Sequence, residues 1–196
     1  MTMFRTLRAG LLIVVGSAAI GSCISPPDFP ETPSIEFKEL IVKRQPSNGS
    51  IPVDSVIVTV TFKDGDGDLG LTEEEYNNPP YKRLNDDGTL NLNHWNYYFK
   101  LFVKAPGDTE FRPYTITPDL LPLKPEDYYG QFPHLEPPNI EKKAPLQGDL
   151  RFSQAFTLGS PFYPGQEVRF EVTIKDRALN TSNTITTSSF IVAPQY

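Results

Sequence analysis

The run Phe62-Lys-Asp-Gly-Asp-Gly-Asp-Leu-Gly-Leu71 sets three carboxylates, Asp64, Asp66 and Asp68, at alternate positions with glycines between them. Like charges this close disfavour joint ionisation, and a bound cation is the usual remedy. Glycine lets the backbone curl so that oxygens at i, i+2 and i+4 converge on one point. The donors are hard oxygens with no Cys or His in the run, which selects Ca²⁺ over zinc or copper. Three readings stand: a Ca²⁺ loop outside the EF-hand class, a true EF-hand, and a solvated acidic turn. Counted from Asp64, Glu75 takes the bidentate last position of an EF-hand loop. Against that, Leu69 stands where the EF-hand needs glycine, and a strand rather than a helix leads in. The run implies a metal and no reaction.

The elements that must hold this loop read as strands. Val53 to Lys63 places Val56, Val58, Val60 and Phe62 on one face and Ile57, Thr59, Thr61 and Lys63 on the other, and it enters the acidic run directly. Beyond the run, Thr72-Glu-Glu-Glu75 matches a capping box and predicts one helical turn ending near Tyr76. Asn77 to Asn93 reads as a long connection with its own turns. His94 to Ala105 alternates again, with Trp95, Tyr97, Phe99, Leu101 and Val103 on one face, and is expected to be a central strand with Trp95 in the core. Ser34 to Arg44 changes phase between Phe37 and Leu40, which predicts a bulge. Phe111 to Thr117 is a weaker strand because of Pro113. Arg151 to Leu158, Glu167 to Lys175 and Thr184 to Val192 complete the set, the last pairing with its predecessor.

About seven strands separated by turn signals predict an all-β fold, an antiparallel Ig-like Greek-key β-sandwich. It forms a single domain over residues 35–194, with long Pro-rich insertions near 77–93 and 118–150. The 20 prolines of this 196-residue chain favour strands and turns over long helices. In an Ig-like order Val53–Phe62 is strand B and Glu167–Lys175 is strand F, so the connections that follow them emerge at the same end. Asp176 and Asn180 then face the acidic loop. The expected site is Ca²⁺ on Asp64, Asp66 and Asp68, with Glu75, Asp176 and Asn180 as further candidates. Asp176 and Asn180 also suit a hairpin with no metal, since their side chains bond nearby backbone.

Residues 1–22 carry Arg5 and Arg8, then a short apolar stretch from Leu11 to Ile20, then Gly21-Ser22-Cys23. The apolar stretch is short for a transmembrane helix. The segment resembles a bacterial lipoprotein signal peptide with its lipobox. The resemblance implies acylation of Cys23 and an anchor in a membrane. Residue Ile24, rather than Asp, after the cysteine implies the outer membrane, with its side left open. Cys23 is the chain's single cysteine, so no intramolecular disulfide forms. Residues 23–34 continue as a Pro-rich tether. The segment Val172-Thr-Ile-Lys-Asp-Arg-Ala-Leu-Asn-Thr-Ser182 resembles the C-terminal part of exported Ig-like and cadherin-like bacterial domains, with Leu179 where glycine is common. Together with the acidic run it is similar to lipoproteins of Bacteroidota. Residues 77–150 carry no part of the resemblance.

The 18 basic residues less two leader arginines leave 16 against 24 acidic, a formal net charge of −8 for the processed chain. Such a surface is a poor match for nucleic acid. His94 and His134 sit in no ligand pair and beside no nucleophile motif, and the chain lacks the Gly-x-Ser-x-Gly and phosphate-loop patterns. The leading expectation is therefore a non-enzymatic, membrane-anchored, Ca²⁺-stabilised binding or structural module with a protein or glycan partner. The runner-up is a carbohydrate-binding lipoprotein using Tyr81, Tyr128, Tyr129 and Phe132 as stacking platforms. Those rings equally suit packing of the loops onto the body. A third reading is an enzyme built on the insertions.

Overall fold

A computed structural model describes residues 27–45, 52–116, 121–122, 124–135, 144–157 and 161–193. The leader, Cys23, the start of the tether and parts of the 118–150 insertion lie outside the described residues. Two antiparallel sheets share one apolar core. The first joins β1 (Ser34–Gln45), β2 (Val53–Asp64) and β7 (Leu146–Thr157) in the order β1-β2-β7. The second has five strands, in the order β10-β8-β3-β4 with β9 also on β8. They are β3 (Tyr97–Lys104), β4 (Arg112–Pro113), β8 (Glu167–Ile174), β9 (Ile185–Thr186) and β10 (Phe190–Ile191). A small ribbon pairs β5 (Thr115–Ile116) with β6 (Leu121–Pro122). Among the described residues the remaining regular pieces are single turns, two of 3₁₀ type and one α-helical turn at Pro125–Tyr128.

Period-two alternation builds the core. Val56, Val58 and Val60 of β2 and Val168, Phe170, Val172 and Ile174 of β8 are all at most 1% exposed, so both strands turn one whole face inward. Aromatic rings bridge the sheets. Phe152 of β7 stacks on Tyr97 with centroids 4.4 Å apart and lies 5.2 Å from Phe99, and Phe156 stacks on Phe170 at 6.0 Å. The bulge expected in β1 falls between Phe37 and Glu39, where the register with β2 shifts. At the far end of the first sheet Arg44 grips the buried Asp54 through two 2.8 Å bonds.

Several boundaries differ from the sequence reading. The third strand starts at Tyr97 rather than His94, because Asn91 accepts from the Asn93 amide and caps a 3₁₀ turn over Leu92–His94. Trp95 is nevertheless in the core at 6% exposure. The strand expected from Arg151 begins at Leu146 and follows β2 along its length. The last expected strand is split into β9 and β10. Between them Thr187 takes over the pairing: its amide donates to the Phe170 carbonyl and its hydroxyl accepts from the Phe170 amide. Among the described residues there are ten strands where about seven were expected, and five of them, β4, β5, β6, β9 and β10, are two residues long.

Candidate metal centre

Asp64 and Asp176 continue the inward phases of β2 and β8. Counting in twos from Val60 reaches Asp64, and from Val172 reaches Asp176, so each strand delivers a carboxylate at the end of the core. Asp64 is 0% and Asp176 3% exposed. Asp68 returns toward both. Its amide donates to Asp64 Oδ2 at 3.0 Å, its carbonyl accepts from Arg177 N at 3.2 Å, and its Oδ2 accepts from Ala178 N at 3.1 Å. Asp64, Asp68 and Asp176 each place a carboxylate oxygen within 4.8 Å of the others. Oxygens at about 2.3–2.6 Å around one Ca²⁺ have such a spread.

Three glycines explain why the loop holds this shape. A β-carbon on Gly65 would stand 2.2 Å from the Phe29 carbonyl oxygen, and the Gly65 amide donates to the Pro30 carbonyl at 2.8 Å. At Gly67, where φ is +70°, it would stand 2.2 Å from the Ala144 oxygen, and at Gly70, where φ is +85°, 2.0 Å from the Pro133 oxygen. Each glycine therefore admits the backbone of a different distant segment, and two of them also adopt a left-handed conformation. The opposing turn is fixed from within. Asn180 donates from its amide and its side chain to the two Asp176 carboxylate oxygens at 2.7 and 2.9 Å. Leu179, in the position where the resemblance has glycine, has φ +68°.

The electrostatics are those of carboxylates crowded together and withdrawn from water. Asp64 Oδ1 is buried and has no hydrogen-bond partner. Burial first, then the neighbouring charges of Asp68 and Asp66, pushes the Asp64 carboxyl up to about 7. Burial also raises Asp176, against the two bonds from Asn180. A buried carboxylate without compensation is costly, and a cation removes that cost.

Asp66 is buried at 7% in the same loop but stands outside the three-carboxylate set. Asn180 acts on Asp176. Glu75 is turned to Arg177: its Oε1 pairs with Arg177 Nη2, and its Oε2 accepts from the Thr72 amide and hydroxyl at 2.8 and 3.0 Å. The Glu75 amide donates back to Thr72 Oγ1 at 3.3 Å, the reciprocal capping box. That leaves the EF-hand's last ligand engaged elsewhere. The aromatic candidates do not form one platform. Phe132 is in the core at 7% exposure, held by Asn96, which accepts from its amide and donates to its carbonyl. The Tyr81 hydroxyl donates to the Arg177 carbonyl. Tyr128 packs on Phe156, and Tyr129 meets Trp95 and Tyr98 edge-on.

Sequence reasoning missed Arg177, the cation beside the cluster, and Asn183, which clasps Ile35 at the start of β1 through two 2.8 Å bonds. Their only signal was proximity to Asp176. His94 is structural, with Nδ1 3.0 Å from the Tyr81 carbonyl and its ring against Tyr76 and Trp95. Among the described residues no helix is long and apolar enough to cross a membrane. No family model matches the chain, and no curated protein or solved structure matches it either.

Proposed function

We propose that the chain is an exported, non-enzymatic lipoprotein, anchored through Cys23 in the outer membrane, whose Ig-like Greek-key domain binds Ca²⁺ at one end. The ion sits on Asp64, Asp68 and Asp176, with Asp66 in the loop that encloses it. Its work is to fix the loops at that end as a rigid surface for a protein or glycan partner. Support for the Ig-like order comes from the pairing β1-β2-β7 and β10-β8-β3, which matches A-B-E and G-F-C. The observation that carries the metal is the Asp64 carboxylate, fully buried with Oδ1 unpartnered amid two further carboxylates.

The test is thermal unfolding of the full chain in excess EDTA and then in millimolar CaCl₂. At the affinities of about 10⁻⁴ to 10⁻³ M typical of extracellular modules, the gain is about 1–2 kcal/mol, a rise of a few degrees. The Asp68→Ala variant should lose the rise. An unchanged melting temperature at all calcium levels removes the metal from the proposal.

A further inference from the structure

Residues 27–33, part of the Pro-rich tether in the sequence, run across the acidic loop before the chain enters β1. The Gly65 amide, between Asp64 and Asp66, donates to the Pro30 carbonyl at 2.8 Å. Among the described residues this is the one main-chain bond that residues 27–33 make to the body. The lack of a side chain at Gly65 lets them lie there, since a β-carbon would stand 2.2 Å from the Phe29 oxygen and 2.6 Å from the Pro30 oxygen. Pro33 is buried and Phe29 half-buried, whereas Asp28, Pro30, Glu31 and Thr32 are exposed. Further on the hold is firmer. Pairing with β2 begins at Ser34, and Asn183 clasps Ile35 through its two 2.8 Å bonds. The segment is thus a strap, fixed to the sheet at one end and seated on the acidic loop by one hydrogen bond and little buried surface.

Charge opposes that seating. The strap's charged residues, Asp28 and Glu31, are both acidic. With Asp64, Asp66 and Asp68 of the loop and Asp176 of the facing turn they make six carboxylates. The cations of the same segments are Lys63, Lys175 and Arg177. Of these, Arg177 pairs with Glu75, and Lys175 donates to Asn93 Oδ1 at 2.8 Å. Acidic groups gathered within a Debye length repel one another, so the acidic strap and the acidic loop favour separation. A divalent cation among Asp64, Asp68 and Asp176 removes much of that excess. It also holds Asp64 in place, and with it the neighbouring Gly65 amide that carries Pro30. Both effects act in the same direction.

We propose, resting on the calcium and Cys23-anchor readings above, that the cation holds residues 27–33 down as a strap and that its removal frees them as far as Ser34. With the strap seated, seven residues separate Cys23 from its fixed point at Pro30, at most about 25 Å of chain. With the strap free, eleven residues separate Cys23 from Ser34, at most about 38 Å. Calcium thereby sets how closely the anchored domain is held to the bilayer, with the acidic end toward it.

The experiment digests the full chain with a glutamate-specific endoprotease in EDTA and in millimolar CaCl₂, and follows the cuts after Glu31 and Glu110 by mass spectrometry. Glu110 lies in the exposed turn after β3, at the opposite end of the sheets, and serves as the internal reference. Cleavage in a strap that opens and reseats tracks the population of its open form. Calcium should slow the Glu31 cut about tenfold and leave the Glu110 cut unchanged. In Gly65→Ala the Glu31 cut should be fast in both conditions. In Asp28→Lys, at an exposed position outside the carboxylate cluster, the EDTA cut should slow and the calcium effect shrink; this variant decides if Gly65→Ala does not fold. A calcium-raised melting temperature with an unchanged Glu31 cut overturns the strap and leaves the calcium reading standing. Failure of calcium to change either the melting temperature or the cut overturns both. Equal slowing at Glu31 and Glu110, or a calcium effect of wild-type size in Asp28→Lys, also overturns the strap.

Discussion

At the end of β2 the alternation of the strand turns Asp64 inward, and the same rule turns Asp176 inward at the end of β8. Neither side chain can reach water without breaking the phase that buries Val60 and Val172. The cluster is thus a charge repulsion that the fold enforces, and its removal has opposite effects with and without metal. At pH 8, above the folded value of the Asp64 carboxyl, Asp64→Asn is expected to raise the urea midpoint in EDTA, because it deletes a buried charge, and to lower it relative to wild type in millimolar calcium, because it deletes a proposed ligand. The same residue sets a pH dependence. Its folded value, about 7, lies above the ordinary 3.8 of an aspartate, so the folded state holds the extra proton between them. Stability in EDTA should therefore fall as pH rises from about 4 to 7, and this part of the slope should be absent in Asp64→Asn. A parallel slope in the two proteins would show that Asp64 ionises freely.

At the scale of elements, the acidic loop is a junction where strand, tether and turn meet through close backbone approaches. Gly70 carries φ +85° and admits the Pro133 backbone, and the segments beside it are joined by His134 N to Leu71 O at 3.1 Å and Leu135 N to Leu69 O at 2.9 Å. Gly70→Ala should cost about 2 kcal/mol or more, since the backbone must move and the conformation is strained. The opposite change is expected in the facing turn. Leu179→Gly relieves a left-handed leucine, φ +68°, and should stabilise by about 0.5–1 kcal/mol in chemical denaturation. Destabilisation by Leu179→Gly would mean that its packing outweighs its backbone strain.

For the whole molecule, the acidic end and the opposite end of the sheets are held by different forces. At the opposite end Arg44 closes on Asp54, and the turn before β8 is pinned by Val192, which donates to the Gln166 carbonyl and accepts from Gly165, both at 2.8 Å. At the acidic end the links run through the Asp68 carbonyl and carboxylate to Arg177 and Ala178, and through Gly65 to Pro30. Calcium should therefore slow amide hydrogen exchange about tenfold at Gly65, Asp68, Leu135, Arg177 and Ala178, and leave Gly165 and Val192 unchanged. Uniform slowing at both ends would mean that the ion acts on global unfolding and not on the loops.

The sequence by itself determined which strands bury which face. Period two in Val53 to Lys63 and in Glu167 to Lys175 is a local property, whereas the expectation that the turns after those two strands meet needed an Ig-like strand order as well. It also determined the phase break in β1 and the capping box at Thr72, since both depend on neighbours within a few residues. Partners distant in the chain were decided only by tertiary structure. Glu75 left the carboxylate set because Arg177, a hundred residues away, pairs with it. Phe132 left the aromatic platform because Asn96 satisfies its peptide groups and makes its burial inexpensive. Thr187 split the last strand because a hydroxyl replaced a ladder bond. Spacing along a chain fixes direction and phase, whereas the choice among competing partners depends on which groups arrive within hydrogen-bonding distance after the sheets have closed on their core.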